Sequence, residues 1–216
     1  MKNINDYIQN PKVKIEYFQT LPSTNVYLKE RAEELCEGAV VIAGNQTAGR
    51  GRFTRKFYSP EKSGIYMSIL LKPNSAGFDT TLITTLAAVA VSESVEELSV
   101  QKTEIKWVND VLIKGKKICG ILTEGKIDPN TGKPIYIVLG IGINAFVPKG
   151  GFDEEIKDIA GAVFDSFDED LKNRLTASVI DKVLGYINCP KQEISAKYKS
   201  RVSFLGRQIF VIKNGE

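Results

Sequence analysis

A segment rich in glycine and arginine is the part of the sequence best suited to binding an anion. Residues 49–56 read Gly-Arg-Gly-Arg-Phe-Thr-Arg-Lys, which places four cationic side chains on a backbone made compliant by two glycines. Guanidinium groups donate paired hydrogen bonds to phosphate oxygens and keep their charge at physiological pH. Because crowded cations repel one another, we predict a mobile loop that becomes ordered over a bound anion. Spacing alone fits a solvated basic loop or a nucleic-acid contact as well.

A lysine at the start of an apolar strand is the second feature that suits an anionic ligand. Lys117 begins the run Lys-Ile-Cys-Gly-Ile-Leu and is predicted to point inward, where an ammonium group needs a counter-anion. The carboxylate or phosphate of a substrate would supply it, whereas Lys114 and Lys116 fit a solvated hairpin tip. Asn109 and Asp110 precede this hairpin, and from pattern alone an Asx turn is the better explanation for them.

Short polar side chains near residue 24 suit a neutral ligand. Ser23, Thr24 and Asn25 follow Pro22, and Gln46 follows a β-rich run. Hydroxyl and carboxamide groups both donate and accept hydrogen bonds, which fits a urea or amide ligand. From pattern alone, helix capping by Ser23 or Thr24 is the stronger explanation.

A Gly-Ile-Gly-Ile-Asn run that ends at Asn144 has the spacing of a dinucleotide-binding fingerprint. We reject that interpretation, because Pro148 and Gly150 follow within a few residues and leave no room for a helix. Gly140 and Gly142 favour a strand against which a flat ligand lies. A tightly packed strand with glycine bulges is equally supported.

The elements that must position these residues are short strands and helices. Successive strands are joined by hairpins more often than by helices, which favours an α+β fold, a mixed β-sheet with helices packed mainly on one face. The predicted strands cover residues 14–18, 39–43, 65–71, 104–107, 111–113, 118–123, 135–143 and 208–213, and the predicted helices cover residues 24–35, 79–98, 171–187 and 191–199.

Composition excludes several function classes. The 216-residue chain carries 29 basic and 26 acidic residues, a balance too even to suggest a nucleic-acid partner. It has no histidine, which excludes Ser-His-Asp and Cys-His catalysis and argues against a zinc site. Cys36, Cys119 and Cys189 are predicted to be free thiols. Since there is no apolar signal segment and no stretch long enough to span a bilayer, we expect a cytoplasmic protein.

In this order and spacing, the motifs resemble those of biotin protein ligases. The resemblance covers about residues 14–190, and it implies a catalytic fold related to class II tRNA synthetases and lipoate ligases. It implies an ATP-dependent enzyme that forms biotinyl-5'-AMP and then transfers biotin to a lysine of a biotin carboxyl carrier protein, in acetyl-CoA carboxylase or a related carboxylase. The matching segments are Ser23 to Asn25, Gln46 to Arg52 with Arg55, Lys106 to Asp110, Lys117 to Leu122, and Gly140 to Asn144.

The resemblance also implies site residues. Catalysis would fall to Lys117 and Arg52, with Asp110 assisting the carrier lysine, and Mg²⁺ would accompany ATP with ligands that the sequence leaves open. Biotin would contact Ser23, Thr24, Asn25, Gln46, Gly49, Arg50, Gly51, Arg52, Lys117, Gly140 and Gly142. ATP and the adenylate would contact Arg50, Arg52, Arg55, Phe57, Lys106, Asn109, Asp110 and Asn144.

Two regions depart from the family pattern. Phe57 and Val108 stand where the family usually has tryptophan and proline, so an aromatic ring is kept at the first position only. Residues 1–195 are predicted to form the catalytic domain, and residues 196–216 the incomplete start of a C-terminal SH3-like domain, because the chain stops at an Asn-Gly turn. The motifs begin at Leu21, which leaves no room for the N-terminal winged helix of some relatives and disfavours DNA binding.

Two other functions and one oligomeric state are also compatible with the sequence. A lipoate or octanoate ligase of the same fold is the competing enzyme, although the polar residues near residue 24 favour a ureido ring over an alkyl chain. A nucleic-acid-binding module using the basic loop is the competing non-enzyme. Related enzymes often form dimers through a sheet edge, so a homodimer is the assembly that the resemblance suggests, with no membrane partner.

Overall fold

Seven β-strands and four α-helices make up the described part of the chain, residues 3–53, 55–72 and 82–208 of a computed structural model. The strands are β1 (Lys14–Leu21), β2 (Ala39–Gln46), β3 (Gly64–Leu71), β4 (Glu104–Lys106), β5 (Asp110–Ile113), β6 (Lys116–Ile127) and β7 (Pro134–Asn144). The helices are α1 (Thr24–Arg31), α2 (Ile83–Ser99), α3 (Glu169–Tyr186) and α4 (Lys191–Lys199), preceded by a 3-10 helix at Ile4–Asp6.

These strands form one mixed sheet in the order β1-β2-β3-β7-β6-β5-β4. β1 and β2 are parallel, because α1 forms the crossover between them, and the other neighbouring pairs are antiparallel. In the pairing of β6 with β7, Gly120 lies opposite Gly142 and Leu122 opposite Gly140. The predicted α+β fold with a mixed sheet is confirmed.

Alternation along β3 shows how the two faces of the sheet differ. Ile65, Met67 and Ile69 belong to the main core, which packs on the α2 side. Ser68 and Leu70 point to the opposite face, towards α1. All eight residues of β3 are buried, since helices cover the strand on both faces.

Most of the helices lie on one face, as predicted. α2 packs directly on the sheet, and α3 and α4 pack on α2. α1 lies on the opposite face, where the fully buried Leu28 packs on Val41, Leu70 and Val138. Because α1 covers only part of that face, a site can form beside it.

Some predicted boundaries shift. α1 ends at Arg31 rather than at residue 35, because the chain turns there to bring the Gly38 N–H to the Leu70 carbonyl, at 2.8 Å. The predicted boundary at 195/196 falls inside α4, and beyond that helix the Ser203 N–H donates to the Ile105 carbonyl of β4 at 3.2 Å. The predicted strand at 208–213 lies outside the described residues except for residue 208, as do residues 79–81 of the predicted second helix.

Across residues 3–53, 55–72 and 82–208, none of the helices has the length and apolar character needed to cross a membrane.

Candidate functional site

A cavity of about 340 Å³ opens on the α1 face of the sheet, above Gly120 of β6 and the two glycines of β7. Small-molecule sites typically occupy roughly 300–1,000 Å³. The structure brings nearly all of the predicted site residues to its walls; only Gly49 and Lys106 stay away. The predicted residues that line it are Ser23, Thr24, Asn25, Gln46, Arg50, Gly51, Arg52, Arg55, Phe57, Asn109, Asp110, Lys117, Gly140, Gly142 and Asn144.

Gly140 and Gly142 form part of the cavity floor. A Cβ atom at Gly140 would overlap the Asn25 carboxamide, and one at Gly142 would lie 2.5 Å from the Phe57 ring. The glycines are therefore needed for tight packing of these two side chains on β7. The register of β7 runs through both glycines without a bulge, so the tightly packed strand is observed without the predicted bulges, and a flat ligand against this strand stays a prediction.

The polar residues near residue 24 form one hydrogen-bonded network that reaches β3. Gln46 Oε1 accepts from the Thr24 backbone N–H at 2.9 Å and lies 3.2 Å from Thr24 Oγ1. Ser68 Oγ lies 2.7 Å from Thr24 Oγ1 and 2.6 Å from Asn25 Oδ1. Gln46 Nε2 donates to Ser59 Oγ at 3.0 Å, which fixes the orientation of the Gln46 carboxamide.

Side-chain capping of α1 by Ser23 or Thr24, the explanation favoured by pattern, is wrong. Ser23 occupies the N-cap position, yet its side chain makes no capping hydrogen bond. The Gln46 carboxamide oxygen accepts from the Thr24 N–H instead. Because a residue on a neighbouring strand satisfies this helix N–H, the Thr24 hydroxyl is released to the network at the cavity wall.

Lys117 points inward as predicted, and its counter-anion in this structure is Asp110. Lys117 Nζ lies 2.7 Å from Asp110 Oδ1, and 34% and 24% of the two side chains are exposed. The Lys117 N–H donates to the Ile159 carbonyl at 2.7 Å, and its carbonyl accepts from the Gly161 N–H at 2.9 Å. Asn144 Nδ2 lies 3.3 Å from the same carbonyl. The backbone of Lys117 is thus held while the ammonium group reaches the cavity.

The Asx turn expected for Asn109 and Asp110 is not what the structure shows. Asp110 begins β5 and pairs with Lys117. Asn109 Nδ2 donates to the Ile121 carbonyl at 3.1 Å, while Asn109 Oδ1 accepts from Arg52 Nη1 at 2.9 Å. Both side chains therefore serve the cavity wall, because β5 brings them against β6 and the basic loop.

The basic segment folds back on itself as a turn. The Gly51 N–H donates to the Arg55 carbonyl at 2.7 Å, and the Phe57 N–H donates to the Gly49 carbonyl at 2.9 Å. Thr54 lies outside the described residues. The predicted ordering of this loop over an anion stays a prediction.

Gly49 and Lys106 do not line the cavity. A Cβ at Gly49 would lie 2.7 Å from Ser59 Oγ and would overlap the Phe57 carbonyl, so this glycine permits packing within the protein. Lys106 is exposed because Ile105 takes the buried side of β4, which turns its two neighbours to solvent.

Several residues at or behind the wall were missed by sequence reasoning. The sequence could have indicated Ser68, because it is a polar residue within an apolar strand. It could also have indicated Glu124, because every second residue from Gly120 through Leu122 to Glu124 faces the same side of β6. Nothing in the sequence indicated residues 156–160. They belong to a loop that reaches Lys117, and loop residues follow no periodic pattern.

Glu124 lies behind Asn25, which lines the cavity, and accepts a hydrogen bond from its side chain. Burial raises the pKa of its carboxyl, but hydrogen bonds from Lys29 and Asn25, together with the charges of Lys29 and Arg50, bring the net pKa below the ordinary value. Glu124 is therefore a carboxylate near neutral pH.

Within the described ranges, no group of three or more His, Cys, Asp or Glu side chains is arranged to hold a metal ion. A divalent cation at this site would need oxygen ligands from a bound nucleotide.

Known proteins share this chain's motifs and fold. Residues 17–144 match the model of the biotin/lipoate A/B protein ligase family. The chain is 40% identical over 169 residues to the bifunctional ligase/repressor BirA of Bacillus subtilis, covering 78% of this chain and 50% of that protein. It is 30% identical over 196 residues to the biotin–[acetyl-CoA-carboxylase] ligase of Mycobacterium tuberculosis, covering 88% and 71%. The biotin protein ligase from Aquifex aeolicus in complex with biotin and ATP superposes with a TM-score of 0.73 at 27% identity, covering 88% and 79%. The chain spans about half the length of the Bacillus relative.

Proposed function

The chain belongs to the biotin/lipoate A/B protein ligase family, and from that membership we propose that it is an ATP-dependent biotin protein ligase. It would form biotinyl-5'-AMP from biotin and ATP and transfer the biotinyl group to a lysine of a biotin carboxyl carrier protein. The Bacillus and Mycobacterium relatives are named as ligases, and the second is named for acetyl-CoA carboxylase, which supports a carboxylase subunit as the acceptor.

The observation that carries the proposal is the polarity of the cavity along β6 and β7. Asn25 lies against Gly140, within a network of neutral hydroxyl and carboxamide groups. Lys117 Nζ lies 3.2 Å from the position that a Cβ on Gly120 would take, and Gly120 pairs with Gly142 of β7. Asn25 and Lys117 therefore contact the strand pair at positions two residues apart, from Gly140 to Gly142, which is about 7 Å along the strand. The cavity thus suits a ligand with a neutral urea head and a carboxylate tail.

The first step needs no general base, since a carboxylate is already a nucleophile. Its oxygen attacks the α-phosphorus of ATP, the bond to pyrophosphate breaks, and a mixed anhydride remains. The cost is the approach of two anions, which Lys117 and the loop arginines would offset by stabilising the negative charge of the transition state. Arg52 and Arg55 would contact the phosphates, and Phe57, Asn109 and Asn144 line the same cavity.

In the second step the amine of the carrier lysine attacks the acyl carbon, AMP leaves and a proton is lost from nitrogen. Asp110 is the carboxylate within the cavity wall and is our candidate to assist that loss. Closure of the basic loop over the adenylate would exclude water from the anhydride.

Mg²⁺ fits this site as a companion of ATP, bound mainly by phosphate oxygens with Asp110 as the adjacent carboxylate. When bound, the ion would neutralise phosphate charge. We propose in addition that the protein acts in the cytoplasm and that it is a homodimer, as the family resemblance suggests.

Titration calorimetry with biotin and an assay of AMP release test the proposed function. In the calorimeter, biotin is expected to bind to the protein alone. In the assay, ATP with Mg²⁺ and biotin is expected to yield AMP only when a carrier protein is present. Lipoate and octanoate are the matched alternatives. Binding of lipoate without binding of biotin would contradict the assignment, and salt-dependent binding of oligonucleotides without either acid would favour the nucleic-acid module.

Replacement of Gly140 by alanine is expected to weaken biotin binding by about tenfold or more, because the new methyl group overlaps the Asn25 carboxamide and displaces one buried polar contact. Gly185→Ala in α3 is the control, since a Cβ there meets nothing within 4 Å. Calorimetry with biotin compares the two variants. Equal affinities would show that the packing of Asn25 on β7 has no part in binding.

A further inference from the structure

Ser59 is a buried serine behind the cavity wall, in the segment that follows the basic loop. It is 5% exposed and does not line the cavity. Gln46 Nε2 donates to Ser59 Oγ at 3.0 Å, and the Gln46 N–H donates to the Ser59 carbonyl at 3.2 Å. Ser59 therefore holds both the side chain and the backbone of Gln46, a residue that does line the cavity.

The directions of the side-chain hydrogen bonds are fixed by backbone groups at both ends. A backbone N–H can only donate, so the Thr24 N–H, 2.9 Å from Gln46 Oε1, requires the carboxamide oxygen at that end. The nitrogen then faces Ser59 and donates to it. The hydroxyl proton of Ser59 is thus left for the Phe57 carbonyl, to which Ser59 Oγ donates at 2.9 Å. The reverse placement of the carboxamide would set two donors against each other at Thr24.

Gly49 makes room for this arrangement. A Cβ atom at Gly49 would lie 2.7 Å from Ser59 Oγ and 3.2 Å from Gln46 Nε2, and it would overlap the Phe57 carbonyl oxygen. The glycine is therefore required at the point where the members of this hydrogen-bonded unit meet, although it does not line the cavity itself.

We infer that Ser59 is a positioning residue for recognition of the ligand head: it anchors the nitrogen end of the Gln46 carboxamide, so that a ligand meets Gln46 in one orientation. This inference rests on the proposed function, because the ligand head would be the ureido ring of biotin. A urea carries a carbonyl acceptor and two N–H donors in one plane, so its binding depends on which end of a neighbouring carboxamide donates. An alkyl chain has neither group.

Preorganisation is the physical reason for the expected effect. Without the Ser59 hydroxyl, the Thr24 N–H still holds the oxygen end of Gln46. The nitrogen end loses its acceptor, and the last side-chain torsion of a glutamine has a broad energy well, so the carboxamide can rotate. Ordering it when the ligand binds then costs free energy that the parent protein has already spent in folding.

The pair Ser59→Val and Ser59→Thr separates the hydroxyl from the shape of the side chain, because valine and threonine are nearly identical in shape and only threonine keeps the hydroxyl. By calorimetry, Ser59→Val is expected to bind biotin about three- to tenfold more weakly than Ser59→Thr, the effect of one lost hydrogen bond. Desthiobiotin, which keeps the urea and lacks the sulfur, should give the same ratio. The ATP KM should differ by less than about twofold between the two variants.

Ser63→Ala is the matched control. Ser63 is a buried serine four residues further along, and its hydroxyl also donates to a backbone carbonyl, that of Pro60 at 3.1 Å. Its other neighbour is the Tyr66 hydroxyl rather than Gln46. Biotin affinity in Ser63→Ala should stay within about twofold of the parent. If the larger side chains prevent folding at position 59, as judged by circular dichroism, Ser59→Ala adds no atom and should bind biotin about three- to tenfold more weakly than Ser63→Ala.

A role confined to the basic loop predicts a different result. Ser59 also donates to Phe57, whose N–H pairs with the Gly49 carbonyl where the loop begins and ends. If Ser59 served only this closure, its loss would accelerate release of preformed, labelled adenylate and leave the affinity for biotin alone unchanged.

Each outcome decides the question. Equal biotin affinities of Ser59→Val and Ser59→Thr, or a loss confined to retention of the adenylate, overturn the role of Ser59 while the proposed function stands. Parent protein that forms no biotinyl-5'-AMP overturns the proposed function and this inference together. Weaker biotin binding by Ser59→Val than by Ser59→Thr, with an unchanged ATP KM, establishes the role.

Discussion

Lys117→Ala is expected to slow formation of biotinyl-5'-AMP by about 10²–10³-fold, the cost of removing one preorganised group that stabilises developing charge. The ammonium group lies at the cavity wall between Asp110 and Gly120 of β6, where a ligand carboxylate and an α-phosphate would meet in the proposed reaction. Single-turnover formation of the adenylate, measured with labelled ATP, reports this step alone.

The fold should survive this substitution. The backbone of Lys117 is held by Ile159 and Gly161, and 34% of its side chain is already exposed. Lys114→Ala is the matched control, because Lys114 is an exposed lysine at the tip of the same hairpin. Adenylate formation at the parent rate in Lys117→Ala, with an unchanged unfolding temperature, would remove Lys117 from the mechanism.

Arg52→Ala is expected to accelerate release of the adenylate by about 10- to 100-fold, the effect of losing a charge-assisted hydrogen bond to phosphate. The affinity for biotin alone should change by less than about threefold, because Arg52 reaches Asn109, at 2.9 Å, rather than the network around Thr24. A chase of preformed, labelled adenylate with unlabelled biotin and ATP measures the release rate.

The control for this prediction is Arg31→Ala, which removes a surface arginine from α1. Equal losses of biotin affinity and adenylate retention in Arg52→Ala would contradict a clamp formed by the loop. Such a result would instead assign Arg52 to general electrostatic attraction, which salt should then screen in both measurements.

Three positions would divide the proposed reaction into separable parts. In this proposal Gly140 would act on recognition of the urea head, Lys117 on the chemical step and Arg52 on retention of the intermediate. A chain without histidine can perform this reaction, since the attacking group of the first step is already an anion. The demand of this first step is therefore fixed positive charge and exclusion of water rather than a base of tuned pKa.

The sequence by itself determined the order and type of the elements and most of the chemistry-bearing residues. Apolar runs such as residues 65–71 and 135–143 are local signals, because burial of a strand or a helix face imposes its own period on the chain. The strands β3 and β7 and the helices α2 and α4 follow these signals closely. The motifs that contain Lys117, Arg52 and Gly140 could be found for a similar reason, since each concentrates unusual residue types in a short segment.

Only the tertiary structure decided how these residues act together. It gave the first N–H of α1 to Gln46 and left the Thr24 hydroxyl for the cavity wall, and it turned the Lys106 side chain of β4 to solvent. It placed Glu124 against Asn25, 99 residues away in the chain, and brought Ile159 against the backbone of Lys117. Hydrogen-bond direction depends on which donor meets which acceptor in space, and no local period of the sequence records that pairing.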